Sequence, residues 1–501
     1  MSSGVDSSGS FIGPTENPGG SLFIDGSFAA AEGVVIAGNN PADGSEGFSY
    51  LAATAEEVGR AVTSSRRALN GIWLETSPGL RKKQLCDFAS AIVANASGLA
   101  AYDSLDTGKP ISMALGEVPI AAGFIRYYAE AIDKINMGEV PATGVGITEI
   151  QHLRPRGVVA AVVPWNFPLI NACLKLGPAL AAGNTCILKP AEISPRSALL
   201  LAKIACESGL PDGVLNVVAG DAITGSSLVG DPGVDMVTFT GSTVTGKKLL
   251  AQLGATSIKP LLLECGGKSP EIIFEDAADI GINTIAAGLV AGAFWNQGQV
   301  CVARSRILVQ QSLYVQVCEA IVAEAQKMSP GDPQDKSTTF GPMACEAQYK
   351  KVLGYIERGL EEGAELLLDG RSPEGFDGGY FIGPTIFGAA DQGGCLARDE
   401  IFGPVIVLMP FKDEEEALAL ANSTDYGLAA TIWTRDPARS QRMARRIKAG
   451  KVRLVSTAAG AEPAGFNHSA EPYGQSGFGV EGGLEGMRSY LRRQSVEHVY
   501  G

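Results

Sequence analysis

The sequence is poor in histidine and in positive charge and contains no paired cysteine motif, and each shortage excludes a class of protein. Only 3 of the 501 residues are histidine, and the 9 cysteines, spread from Cys86 to Cys395, include no CxxC spacing. A disulfide scaffold and a zinc site are therefore poorly supported, and we expect no metal site. The net charge of −14 argues against a nucleic-acid or anionic-membrane partner, since phosphate binding needs a basic face.

The sequence also lacks the patterns of export and of membrane insertion. No Lys or Arg precedes Arg60, so neither a secretory leader nor an arginine-rich transit peptide is predicted. The uncharged run Gly157–Leu174 contains two prolines and two asparagines, and the apolar stretch at 284–295 is too short to cross a bilayer. Together with the unpaired cysteines, these absences predict a cytoplasmic protein.

What is present is an alternation of strand-like and helix-like segments. A length of 501 residues with 45% hydrophobic composition allows two to four domains. The Ser/Gly/Pro-rich stretch at 1–20 is expected to be flexible, and residues 139–158 read as a pair of strands. Two alternating series follow, over 157–265 and 271–452, and they predict an α/β fold of parallel sheets. One helix of the first series is predicted to have Ser194 as N-cap and Pro195 at its first position.

Two glycine-containing turns follow predicted strands. Glu264 precedes Gly266 and Gly267, which places a carboxylate at a strand end, where parallel sheets bind ligands; the alternative is a surface glutamate at a turn. The segment FTGS at 239–242 closes another strand and opens a helix, so that Gly241 lets a ligand reach a helix N-terminus, which attracts phosphate. The turn is not GxGxxG, and similar turns are common in α/β folds.

Two further segments carry polar side chains after strands. In PWNFP at 164–168, two prolines stiffen a loop that holds Asn166, whose amide could donate to a developing oxyanion. The alternative is a stiff turn around a buried Trp165. In KPAE, Lys189 and Glu192 could bracket a sugar or a phosphate, or could form a surface ion pair that contributes little.

Cys301, in AFWNQGQVCVARSR at 293–306, has two interpretations. Most unpaired cysteines pack as small hydrophobic residues. Alternatively, the thiolate is a nucleophile. The four strand-end segments would face one cleft, with Cys301 just beyond it, and this favours the nucleophile.

In their order and spacing, PWNFP, KPAE, FTGS, LECGGKSP, GQVC and EIFGPV resemble the NAD(P)-dependent aldehyde dehydrogenase superfamily of the hydrolytic, non-acylating type. The resemblance covers roughly residues 20–500. It implies two doubly wound parallel-sheet domains plus a β-ribbon for oligomerisation, in a homodimer or homotetramer. The implied boundaries are 1–20 for the flexible N-terminus, 21–138 and 159–265 for the NAD-binding domain, 266–479 for the catalytic domain, and 139–158 with 487–501 for the ribbon.

The same resemblance implies a reaction and a role for each catalytic residue. Cys301 would attack the aldehyde as a thiolate, and Asn166 with the Cys301 N–H would stabilise the oxyanion. Reduction of NAD would leave a thioester, which Glu264 would hydrolyse as a general base through an activated water. Lys175 and Glu481 match family positions that support proton movement near Glu264. The product would be the carboxylic acid.

The cofactor implied is NAD. Glu192 matches a carboxylate that accepts from the adenosine ribose hydroxyls and would repel a 2′-phosphate, so NADP is less favoured. Glu400 would hold the nicotinamide ribose and Phe402 would pack beside the ring. The residues implied for cofactor binding are Trp165, Lys189, Glu192, Gly241, Ser242, Glu400 and Phe402.

The substrate is less well defined by the resemblance. Cys265 stands where the family commonly has leucine, and the stretch 453–479, which borders the substrate entrance in the family, departs from its pattern. The mostly apolar lining favours a medium-size apolar or aromatic aldehyde. The residues implied for the tunnel are Phe167, Asn171, Leu174, Val300 and Val302.

Two other functions remain open at the level of the sequence. A coenzyme A-acylating dehydrogenase would usually lack the base at Glu264, which is present here. A catalytically idle structural or binding homologue would be expected to lose Cys301, Glu264 or Asn166, and all three are present. Both observations favour the hydrolytic enzyme.

Overall fold

A computed structural model describes residues 4–5, 11–12, 19–376, 378–458 and 465–500. Within these residues the protein has two large β-sheets with helices packed against them, and a smaller sheet of three strands. The α/β class and the two parallel-sheet units agree with the prediction. The flexible segment expected at 1–20 lies almost entirely outside the described residues.

The first sheet has eight strands and a parallel centre. Val158–Val162 pairs in parallel with Thr185–Lys189 on one side and with Met236–Thr240 on the other. Its VVAAV sequence is almost fully buried, as expected for a strand covered on both faces. Both edges are antiparallel, which the alternating pattern does not predict. In spatial order the strands are Gly477–Phe478, Leu261–Glu264, Met236–Thr240, Val158–Val162, Thr185–Lys189, Leu215–Val218, Leu22–Ile24 and Ser27–Ala29.

The second sheet has seven strands, of which only the edge strand Glu365–Leu368 is antiparallel to its neighbour. The strand Arg306–Gln310, which follows the Cys301 segment, lies in the centre of this sheet. In spatial order the strands are Glu365–Leu368, Thr385–Gly388, Val405–Phe411, Arg306–Gln310, Pro270–Ile273, Ala429–Trp433 and Lys451–Val455.

The third sheet is built mainly from two long strands that are far apart in the sequence. Ile147–Pro155 pairs along its whole length with the antiparallel strand Leu491–Val499 of the same chain. Gly138–Glu139 adds a short third strand on the other side. Smaller pairs are Gly4–Val5 with Phe11–Ile12, Val35–Asn39 with Glu46–Leu51, and Tyr426–Gly427 with Tyr473–Gly474.

Helices stand between the strands of the two large sheets, as the alternating pattern predicts. Within the described residues no single helix is long and apolar enough to span a membrane, although the pair Pro78–Ala94 and Ala96–Thr107, bent by 66°, meets the length and composition criteria together. The α-helices are Ala55–Asn70, Ile72–Glu75, Pro78–Ala94, Ala96–Thr107, Ile111–Ala131, Pro168–Ala181, Arg196–Glu207, Ala222–Gly230, Thr243–Thr256, Ile282–Ala293, Tyr314–Ala325, Glu346–Glu361, Cys395–Arg398, Glu414–Ala421, Pro437–Arg446 and Gly483–Ser489, and the 3₁₀-helices are Glu275–Ile280, Trp295–Gly298 and Gln311–Leu313.

One predicted helix start is wrong. The helix begins at Arg196, not Pro195, and Ser194 does not cap it. Asp106, from another helix, takes the capping role: its Oδ2 accepts from the Arg196 N–H at 3.4 Å, and its Oδ1 accepts from Arg196 Nε at 2.6 Å. A buried ion pair from a distant segment therefore replaces the local serine cap.

A second buried ion pair lies beneath the PWNFP loop. Lys109 Nζ donates to both carboxylate oxygens of Glu117, at 2.6 and 2.7 Å, and both side chains are almost fully buried. The same ammonium lies 4.2 Å from the centre of the Phe167 ring, close enough for a cation–π interaction. The pair therefore supports the loop that carries Asn166.

We expect Lys109→Met to lower the free energy of unfolding by about 3–5 kcal/mol, because it leaves the Glu117 carboxylate buried without its partner. Urea unfolding followed by circular dichroism measures the loss. The double variant Lys109→Met/Glu117→Leu removes both charges and should recover most of that stability. If Lys109→Met alone were as stable as the wild type, the stabilising role of the Lys109–Glu117 ion pair would be contradicted.

Candidate active site

One cavity of about 320 Å³ lies between the two large sheets. Its walls are loops that follow three strands of the first sheet, loops that precede Arg306–Gln310 and Val405–Phe411 of the second, and parts of the helices Pro168–Ala181 and Glu346–Glu361. The cavity brings together many residues that the sequence analysis selected from separate motifs. They are Trp165, Asn166, Phe167, Asn171, Gly241, Ser242, Val300, Cys301, Val302, Glu400 and Phe402.

The predicted apolar tunnel is only partly reproduced. Leu174 does not line this cavity, because it stands one helical turn beyond Ile170 and Asn171, farther from the start of its helix. Ile170 and Trp295 line it instead. The Trp295 ring packs against that of Phe167, with ring centres 4.9 Å apart.

Cys301 reaches the cavity because the chain before it makes an unusual turn. Asn296 and Gln297 have φ values of 49° and 57°, in the left-handed region that non-glycine residues rarely adopt. Gly298 continues the turn at φ 69°, where a Cβ would lie 2.2 Å from the Gly403 carbonyl oxygen. This close approach requires glycine and positions the following residues against the second wall of the cavity.

The same turn clamps Asn166. Asn166 Nδ2 donates to the Gln299 carbonyl at 2.9 Å, and Asn296 Nδ2 donates to the Asn166 carbonyl at 3.0 Å. The Nδ2 group carries two hydrogens, and the second has no acceptor among the described residues. Because Cys301 lines the same cavity, this amide can donate to an oxyanion formed on a carbon bound to the sulfur.

The thiol of Cys301 is protonated at neutral pH in the protein alone. Burial raises its pKa from 9.0 to about 12, and the nearby carboxylates of Glu400 and Glu264 act in the same direction. The backbone N–H groups of Cys301 and Val302 lower the pKa of the thiol, but they do not offset burial. The nucleophilic thiolate therefore requires a proton acceptor or added positive charge at the site.

Glu264 lies at the end of its strand, outside the cavity wall. Burial raises the pKa of its carboxyl well above the usual 4.5, the negative charge of Glu481 raises it further, and Lys175 opposes both. Lys175 Nζ is fully buried and donates to Glu481 Oε1 at 2.5 Å. The three side chains form one group in which the fully buried Lys175 lies between two partly buried carboxylates, Glu264 and Glu481.

The wall opposite Cys301 has the features of a phosphate site. Ser242 caps the helix Thr243–Thr256, its Oγ accepting from the Thr245 N–H at 3.2 Å, and Gly241 stands just before it. A helix N-terminus favours an anion such as a pyrophosphate. Lys189, 5% exposed, lies outside the cavity lining, with its Nζ 3.9 Å from the half-exposed Glu192. These residues fit a dinucleotide with ribose and pyrophosphate groups.

Two side chains from the EIFGPV motif complete this end of the cavity. Phe402 has a φ of 60°, a strained conformation, and its carbonyl accepts from Gln348 Nε2 at 2.8 Å. Its ring meets Trp165 edge to face at 5.4 Å. Glu400 Oε1 accepts from the Gly267 N–H at 3.0 Å. Planar aromatic and carboxylate groups beside a thiol suit a nicotinamide nucleoside.

Sequence reasoning missed the residues that hold the others in place. Asn296 and Gln299 bind the Asn166 loop, and Trp295 packs on Phe167, although all three stand within six residues of Cys301. The consecutive Asn-Gln-Gly before Gln299 is a signal, since asparagine and glycine favour left-handed turns. Cys265 reaches the wall but packs against the preceding helix, Thr243–Thr256, where a Cβ at Gly246 would lie 2.8 Å from its sulfur.

Comparison with known proteins agrees with this geometry. The model of the aldehyde dehydrogenase family matches residues 28–496. NADP/NAD-dependent aldehyde dehydrogenase PuuC of Escherichia coli is 43% identical, over 95% of this chain and 94% of its own length. Aldehyde dehydrogenase [NAD(P)+] 2 of Saccharomyces cerevisiae is 40% identical, over 95% and 94%.

A solved structure extends the likeness to the whole fold. The P. syringae AldA indole-3-acetaldehyde dehydrogenase, a cysteine-to-alanine mutant in complex with NAD+ and IAA, has a TM-score of 0.92 and 37% identity, covering 97% of each chain. The chain belongs to the aldehyde dehydrogenase family. It is an NAD-dependent oxidoreductase that acts on aldehydes.

Proposed function

We propose that this enzyme oxidises a medium-size apolar or aromatic aldehyde to the carboxylic acid with NAD, through a thioester on Cys301 that Glu264 hydrolyses. The observation that carries the proposal is the convergence of Cys301, Asn166 and the Gly241–Ser242 helix start on one largely apolar cavity. Glu264, partly buried and with a raised pKa, adds the base that hydrolysis needs.

Each chemical step has a residue to support it. The Cys301 thiol first loses its proton to water, the resulting thiolate forms a bond to the aldehyde carbon, and Asn166 Nδ2 donates to the oxygen that becomes negative. When bound, NAD accepts the two electrons and the hydrogen that leave this carbon. Glu264 then takes a proton from water, which attacks the thioester and releases the acid and the Cys301 thiolate. Lys175 and Glu481 carry that proton away from Glu264.

The residues that the sequence analysis assigns to cofactor binding are proposed to do so, in two groups. Trp165, Gly241 and Ser242 would bind the pyrophosphate, while Glu400 and Phe402 would hold the nicotinamide ribose and ring. Lys189 and Glu192 would bind the adenosine ribose. The unit of the first sheet, 21–138 and 159–265, would thus hold the cofactor, and the unit at 266–479 would supply the nucleophile.

The substrate class follows from the lining. Phe167, Ile170, Trp295, Val300 and Val302 surround one amide, Asn171. A cation, Lys109, lies behind the Phe167 ring. An aldehyde with a free ammonium group would lose hydration in such a tunnel without gaining a partner. Neutral aldehydes are also named for solved relatives: the P. syringae AldC mutant was solved with octanal.

An aldehyde panel tests the class. We expect kcat/KM for octanal and phenylacetaldehyde to exceed that for 4-aminobutyraldehyde by at least about 100-fold, since an unpaired buried charge costs more than about 3 kcal/mol. NADH absorbance gives the rates and chromatography identifies the acid. A preference for the aminoaldehyde would contradict the substrate class, and a strict need for coenzyme A would contradict hydrolysis.

NAD is proposed as the preferred dinucleotide because of Glu192. A 2′-phosphate on the adenosine ribose would lie near its carboxylate, which stands 3.9 Å from Lys189 Nζ. We expect Glu192→Gln to reduce the ratio of kcat/KM for NAD over NADP about tenfold, because like charges about 4 Å apart repel by ~1 kcal/mol in water and more near a protein surface. Glu207→Gln, on a nearby surface helix, is the matched control. An unchanged ratio would contradict the role of Glu192.

The assembly and location are also proposals. The strands Ile147–Pro155 and Leu491–Val499 form an exposed ribbon suited to pairing with another copy, which supports a homodimer or homotetramer. The nine unpaired cysteines support a reducing cytoplasm. The chain's acidity supports small-molecule partners, with no nucleic acid and no membrane.

A further inference from the structure

The part of the atypical stretch 453–479 that the structure describes after residue 464 is anchored on a distant helix. We call residues 465–470 the strap. Its Phe466 lies on the helix Ile111–Ala131, with its ring centre 4.8 Å from that of Phe124 and 6.4 Å from that of Tyr127. Gly123 makes the seat: a Cβ there would come within 2.3 Å of Phe466 Cζ.

From this anchor the strap runs beside the segment that contains Glu481. The Ala470 and Glu481 backbones exchange two hydrogen bonds, each of 3.0 Å. The Gly483 N–H donates to the Phe466 carbonyl at 3.2 Å, and Ser469 Oγ donates to the Gly482 carbonyl at 2.8 Å. The strap therefore forms hydrogen bonds with the backbone of Glu481 and of the two residues that follow it.

Both ends of the Lys175–Glu481 ion pair are attached to the same two helices. Lys175 belongs to the helix Pro168–Ala181, which packs tightly on the helix that seats Phe466, since a Cβ at Gly177 would lie 2.8 Å from the Tyr128 ring. Glu481 reaches that pair of helices through the strap and also through the helix Gly483–Ser489 that follows it, where a Cβ at Gly486 would lie 3.3 Å from the Tyr128 hydroxyl. Phe466 is therefore one of the two attachments that hold Glu481 within 2.5 Å of Lys175 Nζ.

We propose that Phe466 is a positioning residue for acyl-enzyme hydrolysis: seated on Gly123, it fixes Glu481 against Lys175 and so sets the charges around Glu264. The proposal rests on the proposed function, in which Glu264 is the hydrolytic base. Residues 467–469 are exposed, so hydrogen bonds alone would leave the strap free to shift once the ring is removed. Formation of the thioester uses Cys301 and Asn166, and Asn166 is held by the turn at Asn296–Gln299, so this step is expected not to depend on the strap.

The test separates thioester formation from hydrolysis. With Phe466→Ala, we expect a rapid burst of about one NADH per active site at the wild-type rate, followed by turnover roughly tenfold slower, because small displacements of catalytic groups have large effects. Intact-protein mass spectrometry should show the acyl adduct accumulating. Phe466→Leu, which fills the seat, should restore most of the hydrolysis rate. Equal slowing of burst and turnover, or no slowing of either, would overturn the proposal.

Gly123→Ala provides a variant that is not expected to unfold the protein, since alanine favours a helix by about 1 kcal/mol over glycine. Its methyl group would displace the Phe466 ring, so hydrolysis should slow as in Phe466→Ala while thermal stability is retained. In the Phe466→Ala background the same methyl meets no ring and should have no further effect. Additive losses in this double-mutant cycle would overturn the proposal.

Two controls identify the source of a failure. Ile258→Ala, at a fully exposed site distant from the strap, should behave as wild type. Glu264→Gln is measured in the same assay. If it hydrolyses the thioester as fast as wild type, the proposed base is wrong and the inference falls with it. If it is slow and Phe466→Ala is not, only the role of Phe466 falls.

Discussion

Replacing Cys301 with alanine is expected to lower the rate of NADH formation by at least about 10⁴-fold, because it removes the sulfur that is proposed to form the bond to the aldehyde carbon. Cys301 lines the cavity shared by Asn166 and the Gly241–Ser242 helix start, and it holds the thiol at the junction of the two walls. Cofactor binding should persist in the variant, since the proposed dinucleotide contacts are untouched. Rates on the preferred aldehyde and NAD binding by calorimetry measure the two properties.

Cys86→Ala is the matched control, since Cys86 is another half-buried cysteine on a helix far from the cavity, and it should retain wild-type activity. Cys265 is the discriminating case, since it also reaches the cavity wall. Loss of activity in Cys265→Ala together with an active Cys301→Ala would contradict the assignment of the nucleophile.

Replacing Glu264 with glutamine is expected to slow thioester hydrolysis by about 10²–10⁴-fold, the usual contribution of a general base. The substitution keeps the size of the side chain and removes its ability to take a proton. Acylation of Cys301 should continue, so that an acyl-enzyme accumulates and can be detected by intact-protein mass spectrometry. Glu485→Gln, at an exposed position in the following helix, controls for loss of a charge.

The pH dependence of the same step follows from the raised pKa of Glu264. A general base acts only when deprotonated, so hydrolysis should fall as pH decreases through that pKa. Because burial raises the pKa of Glu264 well above the usual 4.5, the acid limb should also lie above pH 4.5. Glu264→Gln should remove this limb. An acid limb that survives the substitution would mean that another group titrates.

How far the sequence predicts the structure depends on whether a feature is local. Buried strands and the loops after them depend mainly on neighbouring residues. Apolar runs such as Val158–Val162 therefore predict the parallel strands, and glycines at strand ends predict the loops that carry the motifs. The helix start at Arg196 was mispredicted because its cap, Asp106, lies ninety positions earlier. Antiparallel edge strands such as Gly477–Phe478 pair with distant partners, which the alternating pattern does not encode.

The site shows the same division. Residues in the family motifs, such as Asn166 and Cys301, were identified from the sequence, and the cavity joins them. Three residues were overlooked because only their contacts in the fold make them important. The Trp295 ring packs on Phe167, Asn296 donates to the Asn166 carbonyl, and the Gln299 carbonyl accepts from the Asn166 amide. Leu174 was expected in the tunnel but is not part of the cavity lining, because one helical turn separates it from Asn171.

By itself, the sequence determined the α/β class, the family and the chemistry-bearing side chains, because these depend on residue types and short spacings. Only the tertiary structure decided how those groups are held. The left-handed turn at Asn296 binds Asn166, and Phe466 meets Gly123 across more than three hundred residues. Such contacts arise from packing between distant segments, which no local pattern records.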